Sequence, residues 1–412
     1  MSRKIILPQL LVILFIYSGC SKSSTESSPQ LYNGVLTGNI FDPINNIPVS
    51  GATVSLFSGK NVAITDVNGN FEIDSLPIGE DKLTISKASY ITLTDSVFII
   101  TDRLTVYNGF LNPNLKGWIT GWQSVASGTS AILTNASYAT SKIIYVCGFG
   151  GTLLRSVDGG GTWNQVTTPT SENLYCVHFT DLNTGIIMGN NGTILRTTNA
   201  GSNWTSLGSN QYNFRNVSFS DALHGTAVGG NGNSGPALMK TTDGGATWQD
   251  QSANLSSFFL AGQYGVSFSS PTTGYIAGTE GKVLKTTDGG STWSSGFSGG
   301  PWIRSMFSTD QNNTTFVGSS GTIRHTSDGG FSWPTQGASP NVMLNGVSYS
   351  DSRHGTVVGE NGTIMHTRTS GSAWINESIN GFGGQLYNSA FADSIHGVIV
   401  GENGAILTPV LQ

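Results

Sequence analysis

The residues best suited to chemistry occupy one slot of a repeating sequence. Thr134, Tyr175, Arg215, Tyr264, Arg304, Asn345 and Tyr387 each stand just ahead of a short apolar strand such as Val217-Ser218-Phe219 or Val347-Ser348-Tyr349. A buried β core has no use for Arg or Asn at such a position. Tyr and Arg together supply contact area and hydrogen-bond donors at small entropic cost, which is recognition chemistry. Neighbouring connections add aromatics: Phe258 and Phe259 within 253–264, Trp302 after Pro301, and Phe382 within 380–387. Glu280, Glu360 and Glu402 fall in turns expected to rim the same face. Bond-breaking chemistry is harder to assemble. A glycosidase needs two close carboxylates, and the repeats use nearly every carboxylate for turns. No Ser/His/Asp constellation or Gly-rich phosphate loop stands out. The slot therefore reads as a binding surface without catalytic residues or cofactor. A glycoside hydrolase or lyase working at the same face is the alternative.

Two smaller groups could carry other chemistry. His224, His354 and His396 each precede a Gly in the same turn, and a neighbouring pair would suit a metal. Other repeats place Thr or Asn there, so no metal is assigned. Cys147 and Cys176 have apolar neighbours and read as buried thiols rather than a disulfide.

The elements that position the slot come from the repeat. Marker tryptophans stand at 122, 163, 204, 248, 293, 333 and 374, with spacings of 41, 41, 44, 45, 40 and 41. Before six of them lies one phrase, such as SVDGGGTW at 156–163 or TTDGGSTW at 286–293. Upstream lies a second phrase, GNNGTIL at 189–195 or GENGTIM at 359–365, and then the apolar strand. Four short strands per 40–45 residues make a propeller blade, and blades bury their faces only by stacking around an axis. The chain ends on a third strand at Gly401–Thr408 with no Trp segment after it. The orphan Trp122-Gln123-Ser124-Val125 supplies that missing fourth strand and closes the ring. The expected fold is all-β: a seven-bladed β-propeller over 118–412 with a small N-terminal β-sandwich.

The DGGxTW phrase resembles the Asp-box, or BNR, repeat. The full order of strand, VGENGTI and TxDGGxTW is similar to that of the photosystem II stability/assembly factor-like propellers. The resemblance implies that Asp158, Asp243, Asp288 and Asp328 bind turn amides and that the glycines take positive φ. It also implies that each Trp packs inward. Asn199 and Thr369 depart from the pattern and should give weaker turns. It further implies a propeller that grips another protein. Sialidases use propellers of this kind, but their arginine-containing opening motif is absent, Phe214-Arg215-Asn216-Val217 being the nearest string.

Residues 33–115 read as short alternating strands. The set PVSGATVSL, TDVNGNFEI, LPIG and LTISK resembles the carboxypeptidase regulatory-like domains, a transthyretin-like sandwich used as a spacer. Asp66 and Asn68 read as a plain turn, since no late bidentate Glu completes a calcium loop. Arg3 and Lys4 precede an apolar run at 5–17 that is too short to span a bilayer. It ends in Tyr17-Ser18-Gly19-Cys20, which resembles a lipoprotein signal, so 1–20 is expected to be cleaved with Cys20 lipidated. The Ser-rich stretch 21–32 is the expected linker. With Lys+Arg 19 against Asp+Glu 24 and a net charge of −5, the chain lacks the basic footprint of a nucleic-acid binder. The expectation is a bacterial cell-envelope lipoprotein, in the outer membrane, held by its lipid anchor. Its partner is expected to be a protein or a polysaccharide.

Overall fold

Seven sheets of short antiparallel strands follow one another from Ile119 to Leu411 in a computed structural model of the 412-residue chain. The structure describes residues 34–42, 47–57, 62–88, 90, 92–100, 104–110, 119–208, 211–230, 235–258, 263–336, 340–379 and 381–411. The expected leader, Cys20 and linker lie outside these. A first compact unit ends at Asn114 and a second begins at Leu115.

In the first unit, Gly34–Asp42 pairs antiparallel with Asn70–Leu76 and parallel with Leu104–Phe110. A second sheet runs Val62–Ile64, Thr53–Leu56, Gly79–Ser86, Leu93–Ile99. Alternation puts Leu36, Ile40, Val54, Leu83 and Ile85 in one shared core. Asp66 Oδ1 accepts the amides of Asn68 and Asn70, both at 2.8 Å, so this carboxylate serves the turn.

In the second unit each sheet has the same plan. The first strands are Leu133–Tyr138, Leu174–Phe179, Asn213–Phe219, Gln263–Phe268, Ile303–Ser308, Leu344–Tyr349 and Leu386–Phe391. Each touches the next, and the seventh touches the first, so the first strands enclose a central channel. Six of the seven second strands, Gly355–Gly359 for example, are buried at every residue because both faces meet neighbouring sheets, and Gly225–Gly230 is buried at all but its last. Sheet five has three strands among the described residues, with an isolated bridge from Arg324 to Thr335 in place of the fourth.

The ring closes where expected. Ile119–Val125 pairs with Ile406–Leu411, Pro409 opposite Trp122 and Leu407 opposite Ser124. Trp122 and Leu407 share one buried cluster. Trp122 meets Phe391 edge-on at 6.1 Å, the same contact that Trp204 makes with Phe179 and Trp248 with Phe219. Beneath these aromatics sits a glycine: a Cβ at Gly185 would lie 2.7 Å from the Phe179 ring. The His-Gly or Thr-Gly step found in five of the repeats thus has a packing cause, and sheets one and five carry Ile143-Ile144 and Asn313-Thr314 in its place.

The Asp-box turns match their expected chemistry. Asp288 Oδ1 accepts the Thr292 amide at 2.9 Å, Oδ2 accepts the Thr292 hydroxyl at 2.6 Å, and Gly289 has φ 71°. These bonds hold the Asp288 carboxyl down at about 2. Asn199 keeps the amide bond, accepting from Asn203 at 3.0 Å. Thr369 keeps its counterpart from Ala373 at 3.0 Å. What the two departures lose is the second carboxylate oxygen. A tie that the sequence did not suggest joins neighbouring sheets: in three of the third strands a basic residue reaches the next Asp-box turn. Lys240 donates to Gly289 O at 2.6 Å, Lys285 to Gly329 O at 2.7 Å, and Arg196 to Gly244 O at 3.0 Å.

Candidate functional site

Every first strand carries a register break near its start, and the break falls on the slot singled out above. The ladder steps from Leu174 to Cys176 while its partner strand steps only from Gly189 to Met188, which leaves Tyr175 as the extra residue. The same step skips Thr134, Arg215, Tyr264, Arg304, Asn345 and Tyr387. A bulge turns its extra residue out of the ladder and re-aims the side chain. Here all seven line one cavity of about 350 Å³ at one mouth of the channel. The channel continues through Asn135, Asn216, Ser305 and Asn388 into a second space of about 310 Å³. No Asp or Glu lines either space among the described residues.

The seven residues are not equivalent. Thr134 Oγ1 donates to Leu174 O at 2.8 Å, and Asn345 Nδ2 donates to Leu386 O at 2.9 Å. Both side chains tie adjacent first strands together, so they are walls rather than free contacts. The arginines stack on the tyrosine of the preceding sheet: the Arg215 guanidinium lies 4.0 Å from the Tyr175 ring centre, and Arg304 lies 5.0 Å from Tyr264. Such stacking contributes about 0.5–2 kcal/mol and leaves the guanidinium edge open for bidentate hydrogen bonds. Burial raises the Tyr387 phenol above its usual range, helped by the Glu402 and Glu360 carboxylates and opposed by Arg304.

Other candidates fare differently. Trp302 is 53% exposed, two residues before Arg304, but lies outside the cavity lining. Phe259 and the side chain of Phe258 lie outside the described residues. Phe382 is a correction: it packs on the buried cluster of Trp122 and Leu386 instead of standing free. Glu280 is a second correction. Its sheet reads Gly278-Thr279-Glu280-Gly281, one residue out of step with Gly359-Glu360-Asn361-Gly362. Glu280 therefore takes the left-handed position, φ 65°, and pairs with Lys282 at 2.8 Å. His224, His354 and His396 each bond an Asp three residues earlier at 2.8 Å, in turns of one design. Cys147 and Cys176 are free and buried, and burial pushes both thiols up.

Sequence reasoning missed Phe149 and Gln385. Both line the mouth, and Phe149 meets the Tyr175 ring edge-on at 5.7 Å. Phe149 occupies the turn position that holds Glu360 and Glu402 in sheets six and seven, an alignment visible in the repeat.

Comparison with known proteins follows the same geometry. The family model of the photosynthesis system II assembly factor YCF48 matches residues 110–198 and 197–338. The chain belongs to that family. A model of the carboxypeptidase regulatory-like domain matches 35–108, the first compact unit. Among solved structures, one of YCF48 bound to D1 peptide aligns with a TM-score of 0.59 at 18% identity, covering 71% of this chain and 98% of that one. YCF48 from Cyanidioschyzon merolae aligns equally, at 0.59 and 18%, over 70% of this chain and 98% of that one. A GH74 xyloglucanase from Xanthomonas campestris aligns at 0.52 and 14% identity, over 71% of this chain and 54% of that one. At these identities the likeness shows the propeller fold alone. No curated protein matches the chain. In this member of the YCF48 family the regulatory-like match precedes the propeller match in the chain.

Proposed function

We propose that this protein is a non-catalytic binding propeller of the bacterial cell envelope, gripping a peptide segment of a protein partner at the channel mouth. The observation that carries the reading is the ring of bulged residues, with Arg215 and Arg304 stacked on Tyr175 and Tyr264 around an open cavity. Side chains freed from ladder pairing and pre-set by stacking lose little entropy when a ligand arrives. A YCF48 structure with a bound peptide supports a protein partner over a polysaccharide. The hydrolase alternative needs a carboxylate pair, and the channel lining offers no Asp or Glu among the described residues. The leader at 1–20 and lipidation of Cys20 would hold the propeller at the outer membrane, with the regulatory-like unit as spacer.

The test is crosslinking and mass spectrometry on intact cells carrying the wild type or the Arg215→Ala/Arg304→Ala double variant. The expected result is one or more partner peptides crosslinked near the mouth and depleted at least several-fold in the variant. Equal recovery from both strains refutes the mouth as the site, and release of reducing sugar from envelope polysaccharide by purified protein would replace it with the hydrolase reading. Lipidation is checked by fatty-acid labelling, expected in the wild type and absent in Cys20→Ser.

A further inference from the structure

The charges around the mouth are sorted by sheet. Arg215 and Arg304 belong to sheets three and five and make no ion pair or hydrogen bond among the described residues. Other arginines of the ring are committed: Arg196 holds Gly244 O, and Arg324 holds Trp333 O at 2.6 Å. On the other side, Glu360 and Glu402 open the turns of sheets six and seven. Glu360 Oε2 accepts the Met343 amide at 3.0 Å, whereas the Glu402 carboxylate makes no such bond among the described residues. Glu402 also lines a second surface cavity of about 690 Å³, with Phe382 and Gly384 in its wall. The next residue along, Gln385, lines the mouth itself. The two spaces thus adjoin across Gly384–Gln385, over the seam where the chain ends pair. Both charge types act on Tyr387 between them, in opposite senses. Opposite charges that line two adjoining spaces without pairing to each other are each available to one ligand that spans both.

We infer that the mouth takes an extended peptide segment of two-signed charge, which sets an acidic side chain on Arg215 and Arg304 and crosses sheet seven to bring a basic side chain to Glu402. This rests on the mouth being a binding site, and it adds the ligand's charge pattern and its exit route. Charge complementarity selects the occupant. A polyanionic glycan would satisfy the arginines and be repelled at Glu402, and a purely acidic peptide would leave Glu402 unused. The seam cavity, with Phe382 as its apolar contact, receives the basic half.

The test uses the full chain and three designs of fluorescent twelve-residue Gly/Ser peptide, four peptides in all, read by anisotropy at low salt. One carries two Asp at one end. The second carries the same Asp pair and two Lys at the other end, made in both sequence orders. The third has no charge. The two-ended peptide is expected to bind roughly two- to five-fold tighter than the acidic one, as one added exposed ion pair permits. Glu402→Gln is expected to cost the two-ended peptide several times more than the acidic one. Glu280→Gln, whose carboxylate is paired with Lys282, serves as control. Arg215→Ala/Arg304→Ala is expected to weaken both charged peptides. Equal affinity of the acidic peptide and both two-ended peptides overturns the charge pattern and leaves the mouth as a site for acidic ligands. Charged peptides that bind no better than the neutral one overturn the mouth reading as well.

Discussion

Replacing Trp122 with Ala should open the ring, and the cost follows from its surroundings. Trp122 is 6% exposed and packs among Ile119, Val358, Ile364, Leu386, Ile399 and Leu407. A buried indole removes ~150–250 Å² from water, about 4–6 kcal/mol at ~25 cal/mol per Å² as an upper bound. Truncations of buried Trp to Ala cost about 3–5 kcal/mol. At a urea slope near ~3 kcal/mol per M, the midpoint should fall by about 1–1.7 M. The assay is clean because all nine Trp lie between Trp118 and Trp374, so intrinsic fluorescence reports the propeller and is silent on the first unit. Trp302→Ala, which removes an exposed indole, is the matched control and should change stability by no more than about 0.5 kcal/mol. A Trp122→Ala midpoint within 0.3 M of wild type, roughly 1 kcal/mol on that slope, would refute the claim that this indole holds the closing strand.

Acid should weaken the Asp-box turns in a defined window. The folded Asp243 and Asp288 carboxyls are held down at about 2 by their turn bonds, below an unfolded value near ~3.9. Their contribution is complete above pH ~4 and lost as pH falls toward 2, so Asp288→Asn should flatten the acid limb of a stability–pH curve. Lys285→Met deletes the bond to Gly329 O and should cost about 1–2 kcal/mol in urea melts. Cys147 and Cys176 should resist a thiol reagent in the native protein and react once the chain is unfolded in denaturant; rapid native labelling would contradict their burial.

The ring and its closure were legible because both rest on repetition. In five sheets the marker Trp meets an aromatic that stands six residues before a glycine, so one blade's pattern predicts the next. The slot at the mouth was legible for the same reason: alignment grouped seven residues that the structure brings to one cavity. Its cause was not legible, since a bulge is a property of pairing that no single strand reveals. The division of labour within it was also hidden, because Thr134 and Asn345 reach carbonyls of a neighbouring sheet some 40 residues on. Glu280 was misplaced because a one-residue shift inside a turn moves a side chain from the rim to the left-handed corner. Trp302 is exposed as its segment suggested, whereas Phe382 shows the limit of reading exposure from residue type in a connecting segment.

The skipped residue in each first strand has a consequence for how such a scaffold diversifies. Tyr175, Arg215, Tyr264, Arg304 and Tyr387 contribute no rung to their sheets, and none bonds a neighbouring first strand as Thr134 and Asn345 do. Changing them removes no ladder hydrogen bond, and at most the two stacks of Arg215 on Tyr175 and Arg304 on Tyr264. The hub therefore behaves as a set of letters on a wheel whose spokes do not depend on them, so this chain can be retuned to a new guest with its ladders left in place.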